Sequence, residues 1–173
     1  MIPERLRYVD PVAMVDELRA HYPYEGSASE LVKALKYRRE TALVDLMAGA
    51  VSEVFDQWDP EPDFIVPVPI HRRRLAFRGF NQARLLCEKL PSDLVTEHLV
   101  RIRATKPQVE LKPEQRAKNL IGAFRCSTSL VGKRVLLVDD VFTTGATAHE
   151  CAKAMKEAGA VWVGVLVFAM RRR

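Results

Sequence analysis

Apolar positions along this chain fall into two kinds of pattern. Continuous branched-apolar runs at 64–68, 135–138 and 161–168 predict strands buried on both faces, as in parallel sheets. Elsewhere apolar residues recur at three- and four-residue spacing and predict amphipathic helices. Leu43, Met47, Ala50, Val54 and Trp58 form one such stripe, ended by Asp59-Pro60-Glu61-Pro62-Asp63, where two prolines stop a helix. Cys151, Ala154, Met155 and Ala158 form another, over 146–158, with Gly159 placed to close it. Ser29 reads as the N-cap of a helix over 30–39 with Leu31 and Leu35 inward, residues 83–90 as a short helix, and 12–21 as a helix. Residues 94–95 and 98–101 carry a weak second-strand signal. The order predicts an α/β fold: a mainly parallel central sheet flanked by helices, with right-handed crossovers. At 173 residues the chain reads as one domain, a helical N-terminal part over 1–62 and an α/β core over 63–170.

Candidate chemistry concentrates where the run at 135–138 stops. Asp139 and Asp140 follow it, then Val141, Phe142, Thr143, Thr144, Gly145, Ala146 and Thr147, and a helix pattern begins at once. A turn from strand to helix aims successive backbone N–H groups at one spot, and the helix dipole adds partial positive charge there. Gly145 permits close backbone approach, and the threonines add hydroxyl donors. This is a cradle for a phosphate monoester. Two carboxylates in that cradle would repel the phosphate; they suit a neighbouring group that presents donors, such as vicinal ribose hydroxyls, or a hydrated Mg²⁺. The stretch therefore asks for a sugar phosphate. Without a ligand it reduces to a buried strand leading into a helix capped by Thr147.

Residues 135–147 resemble the phosphoribosyl-pyrophosphate (PRPP) loop of type I phosphoribosyltransferases along its full length. Pro67-Val68-Pro69-Ile70-His71-Arg72-Arg73, Arg78-Gly79-Phe80-Asn81-Gln82-Ala83, Pro107-Gln108, Leu111, Arg116, Asn119 and Gly122-Ala123-Phe124 are similar to the ComF branch of that superfamily. The resemblance implies PRPP bound with Mg²⁺ through Asp139 and Asp140, partly by way of PRPP and water. It also implies a pyrophosphate loop at Ile70, His71 and Arg72, and a flexible catalytic loop holding Gln108, Arg116 and Asn119. N-terminal helices would help build a hood over the site. Members that salvage 6-oxopurines carry an acid at the position of Thr143, so threonine speaks against that acceptor. ComF proteins are associated with DNA uptake in natural transformation. Many begin with a four-cysteine zinc module; Cys87, Cys126 and Cys151 are too far apart to form one and read as small buried hydrophobes.

Other phosphate-binding classes fit poorly. No lysine directly follows Gly145, as a P-loop requires, and no Gly-x-Gly-x-x-Gly occurs. Net charge is +5, but unevenly spread: residues 1–63 hold 7 Lys/Arg against 13 Asp/Glu, and 64–173 hold 20 against 9. The basic surplus lies on the part carrying the loops, which favours a polyanionic ligand. Arg73, Arg74 and Arg78, interleaved with Phe77 and Phe80, are candidates for single-stranded DNA, Arg contacting phosphate and aromatics stacking on bases. No apolar run is long enough to span a bilayer and the start lacks a signal-peptide core, so no membrane insertion and a cytoplasmic location are expected. The expected function is a ComF-like protein that binds PRPP or another ribose 5-phosphate ligand and transfers the phosphoribosyl group to an unidentified acceptor. The alternative is a non-catalytic single-stranded DNA-binding or PRPP-sensing module. A homo-oligomer stays open.

Overall fold

The structure is a computed structural model describing residues 7–8, 14–38, 41–103 and 119–171. Its centre is a five-stranded sheet in the order β1-β2-β7-β6-β3, built from β1 (Arg7–Tyr8), β2 (Glu17–Pro23), β3 (Phe64–Pro67), β6 (Arg134–Phe142) and β7 (Trp162–Met170). All neighbours are parallel except β1, which runs antiparallel to β2. A mainly parallel sheet flanked by helices is thus the fold. The two nine-residue strands, β6 and β7, lie side by side within it, with most of their positions buried.

Side chains alternate between the faces of a strand. On one face Val135, Leu137, Val165 and Val167 pack under α5 (Ala146–Glu157) through Cys151, Ala152 and Met155. On the other, Leu136, Val138, Leu166 and Phe168 pack against α1 (Gly26–Lys33), α2 (Val44–Trp58) and α4 (Gln82–Leu86) through Val32, Met47, Val51, Val54 and Leu86. The second layer is where the N-terminal helices sit.

Three expectations need correction. Residues 17–23 form strand β2, whereas the sequence suggested a helix over 12–21. Leu18 and Ala20 are buried while Glu17, Arg19 and His21 are half-buried, a period-two alternation that pairs with β7 from Glu17↔Gly164 to Pro23↔Met170. The parallel partner lies some 150 residues away, so a local reading could not see it. The first helix begins at Gly26 with Glu25 at its cap, not at Ser29, and continues as a π-helical turn, Ala34–Arg38. The weak signal at 98–101 is β4 (Leu99–Arg101), but it pairs antiparallel with β5 (Phe124–Cys126) in a separate two-stranded sheet. Val95 makes a single bridge to Ile65 of β3.

Candidate functional site

β6 runs further than its apolar core. Pairing with β7 continues through Asp139↔Val167, Val141↔Ala169 and Phe142↔Met170, so both acids lie inside the strand rather than after it. Apolar β7 extends to Met170, and this keeps the ladder going. Neighbouring positions in a strand point to opposite faces, and the acids separate accordingly. Asp139 shares its face with Leu137 and lines an open depression; Asp140 turns to the other face, where it is 2% exposed. There Lys36 Nζ, delivered by the π-helical turn, lies 2.7 Å from Asp140 Oδ2.

The depression is small, about 40 Å³ as a cavity, and open to solvent. Its wall is the bend itself, residues 141–147, with Asp139 and Val68; Leu137, Val165 and Val167 lie beneath. Every residue of the expected PRPP loop from Asp139 to Thr147 lines it except Asp140. Gly145 closes the bend in the left-handed region, φ 79° and ψ 0°, and caps α5 without a side-chain hydrogen bond. Thr147 is therefore not the cap. Ala146 N reaches Thr144 Oγ1 only at 3.4 Å, and His149 N donates to Gly145 O at 2.8 Å. The first turn of a helix presents N–H groups that its own carbonyls do not take. Here that turn opens on the depression.

Charge is organised around the acids. Asp139 accepts a hydrogen bond from the Asp140 amide at 2.8 Å. Burial, then the charge of Asp140, pushes the Asp139 carboxyl well above the usual carboxylate range. For Lys36, burial works to lower the ammonium, but Asp140 and Asp139 outweigh it and the group is raised. Burial and Arg74 lower both Arg78 and Arg101, while Asp140 acts on Arg78, and Asp139 on Arg101, in the opposite sense. Lys36 ion-pairs with Asp140, while Arg78 and Arg101 lie within reach of the acids' charge.

The second loop leaves β3 beside the first. Val68 N donates to Val138 O at 2.9 Å, and Asn81 Nδ2 donates to Val68 O at 3.0 Å, tying the loop start to the cap of α4. His71 caps α3 (Arg72–Arg78), its Nδ1 accepting from Arg73 N at 3.2 Å. Ile70, His71 and Arg72 lie outside the wall of the depression. Arg72 and Arg73 are exposed, Arg74 and Arg78 half-buried, and Arg78 Nη1 donates to Gln82 Oε1 at 2.6 Å. Phe77 is 80% exposed on the same helix, and Phe80 is half-buried against the core. Gln108 and Arg116 lie outside the described residues; Asn119 is described, its carbonyl accepting from Arg103 Nη2 at 3.3 Å. Among the described residues no cluster of three or more His, Cys, Asp or Glu forms a metal site, and no helix is long and apolar enough to cross a membrane. Lys36 and Arg101 were not singled out by sequence. No spacing rule marks either; only the packing of distant elements brings them to the acids.

A parallel sheet whose central strand carries an acid pair into a hydroxyl-rich bend and a helix N-terminus has the architecture of a phosphoribosyltransferase-type fold. Comparison with known proteins agrees. Residues 35–173 match the family described as phosphoribosyl transferase domain. The chain is 37% identical over 151 residues to the DNA utilization protein YhgH of Salmonella typhi, covering 82% of this chain and 66% of that protein. It is 32% identical over 143 residues to competence protein ComFC of Bacillus subtilis, covering 82% and 58%. The chain thus spans less than two thirds of the length of these relatives. A purine phosphoribosyltransferase of Pyrococcus horikoshii Ot3 aligns with TM-score 0.46 and 25% identity, over 73% of each chain. The chain belongs to the type I phosphoribosyltransferase superfamily, in its ComF branch.

Proposed function

We propose that the protein binds PRPP with Mg²⁺ and transfers its phosphoribosyl group to an acceptor yet to be identified, in the cytoplasm. The 5-phosphate sits on residues 143–147, the ribose hydroxyls meet the acidic end of β6 at Asp139, and diphosphate leaves toward Ile70, His71 and Arg72. Single observation carrying this reading: the bend after β6 opens on a depression instead of being filled by its own side chains, with Asp139 at its edge. The transition state of such a transfer is oxocarbenium-like, so a carboxylate beside the ribose would stabilise its charge. Mg²⁺ keeps several waters and binds through one or two carboxylates plus substrate phosphates. One carboxylate facing the depression fits that habit, so Asp139 would hold the ion jointly with the diphosphate, which the ion would help to neutralise. The N-terminal helices, packed on the Asp140 face, serve as the flank of the site within one functional unit.

A second reading has its own support. The names of the relatives concern DNA utilization and competence, and α3 exposes Arg72, Arg73 and Phe77 together. This helix is a surface for single-stranded DNA, with the sugar-phosphate site acting as a sensor.

Calorimetric titration separates the two. Mg²⁺-PRPP should bind one to one, and Asp139→Asn should abolish it while leaving affinity for a short oligonucleotide unchanged. Oligonucleotide binding, where present, should weaken steeply between low and physiological salt. No heat with PRPP, but salt-sensitive binding of the oligonucleotide, would leave only the DNA module standing.

A further inference from the structure

Most cations near the site are accounted for by local geometry. Arg78 is engaged with Gln82, and Arg101 lies over the Phe124 ring at 5.4 Å. Lys36 differs. It comes from the helical layer on the far face of the sheet and ends on Asp140, the acid turned away from the depression.

We propose that Lys36 is a positioning residue: it holds Asp140 against the N-terminal layer, and so leaves Asp139 as the carboxylate that meets the sugar hydroxyls. This rests on the sugar-phosphate reading of the depression. The geometry points there in three ways. Lys36 Nζ and Asp140 Oδ2 are 2.7 Å apart, with the Asp140 side chain 3% exposed. Leu35, next to Lys36, is fully buried in the core of that layer, so the turn carrying the ammonium is anchored and cannot simply follow solvent. Asp139, not Asp140, is part of the depression's wall.

Two adjacent carboxylates near one sugar are an unstable arrangement, because each disfavours the other's charge. A buried charge also needs a partner. Lys36 supplies one, on the side away from the ligand. Without it, Asp140 has no cation on its own face within ion-pair distance among the described residues, and turning toward the depression becomes its way to reach water. The sugar would then meet two acids where the native site offers one. Lys36 thereby links the fit of the ligand to the seating of the N-terminal helices.

The test is a set of four variants, Asp139→Asn, Asp140→Asn, Lys36→Met and the double Lys36→Met/Asp140→Asn. Each is titrated with ribose 5-phosphate by calorimetry and melted without ligand. Asp139→Asn should weaken binding about tenfold or more, as expected for loss of a charge-assisted hydrogen bond, and Asp140→Asn about threefold or less. Lys36→Met should weaken binding and lower the melting temperature by roughly 6–12 °C, the effect of stranding a buried charge. The double variant should regain most of both losses, since it leaves no charge to hold away. Equal losses in the two Asp variants would overturn the proposal, because both acids would then hold the sugar. So would a double variant that binds as poorly as Lys36→Met, which would mean the ammonium touches the ligand itself. If the unsubstituted protein does not bind ribose 5-phosphate, the sugar-phosphate reading has failed. The melting cycle then still decides whether Lys36 holds Asp140: additive losses remove the pairing as well.

Discussion

Val68 donates its amide to the carbonyl of Val138 at 2.9 Å, one step beyond the last paired positions of β3 and β6, Pro67↔Val138. Pro67 costs this ladder nothing, because an N–H there would point away from β6, as that of Ile65 does toward Leu94 O. The Val68–Val138 hydrogen bond places the two candidate loops side by side as they leave the sheet. In parallel α/β sheets ligands bind outside the carboxyl ends of the strands, and here two adjacent strands end in segments suited to anions. On the function proposed above, a ligand with phosphate at both ends would bridge them.

Gly145 is where the bend depends most on residue type. At φ 79° an L side chain is strained by about 1–2 kcal/mol. Gly145→Ala should lower stability in urea by that amount, and weaken ribose 5-phosphate binding by more than stability alone accounts for, since the cap also shapes the cradle. An alanine variant with full stability and unchanged affinity would show the left-handed cap to be dispensable.

Gly164 makes room for an aromatic. A Cβ there would stand 2.1 Å from the Trp162 ring, which Arg134 covers at 4.2 Å and Trp58 meets at 5.8 Å. With the ring hemmed in, Gly164→Ala should cost about 1–3 kcal/mol, the usual penalty of overpacking. The tryptophan emission should shift as well. Thermal melts with fluorescence read both; a melt and an emission spectrum identical to the parent's would contradict this packing.

Asp63 joins the foot of β3 to β6. It accepts from Arg134 N at 2.8 Å and from Lys133 Nζ at 3.0 Å, and these contacts, the backbone one foremost, hold its carboxyl below the usual 3.8. A pKa lowered by folding means stability that is present above the unfolded value and lost as pH falls through the folded one. Asp63→Asn should therefore melt below the parent at pH 7, and the gap should close in acid beneath pH 3.8. A gap that stays constant with pH would assign the loss to geometry instead of charge.

Much of the fold was legible in the sequence because its signals are local. The runs behind β3, β6 and β7 are uninterrupted, and the stripe of α2 is long and regular. The bend was legible for a different reason: acid pair, hydroxyls and glycine all fall within residues 139–145. What escaped depends on partners far along the chain. Glu17–Pro23 becomes a strand because β7 accepts it, and β4 pairs with β5, a partner its local signal does not name. The split between Asp139 and Asp140 could not be read while the strand was expected to end before them. Once β7 carries pairing to Met170, alternation sends the two acids to opposite faces, and only the packing of the N-terminal layer shows that Lys36 waits on one of them.

The central claim is that the bend after β6 grips a phosphate monoester. The most direct measurement is a titration of ¹⁵N-labelled protein with ribose 5-phosphate, following backbone amide shifts. The largest changes should fall on the amides of Thr143, Thr144, Gly145, Ala146 and Thr147, saturating together at one equivalent, with little change along α3. Saturable changes centred on the amides of residues 71–78, or none at all, would contradict it.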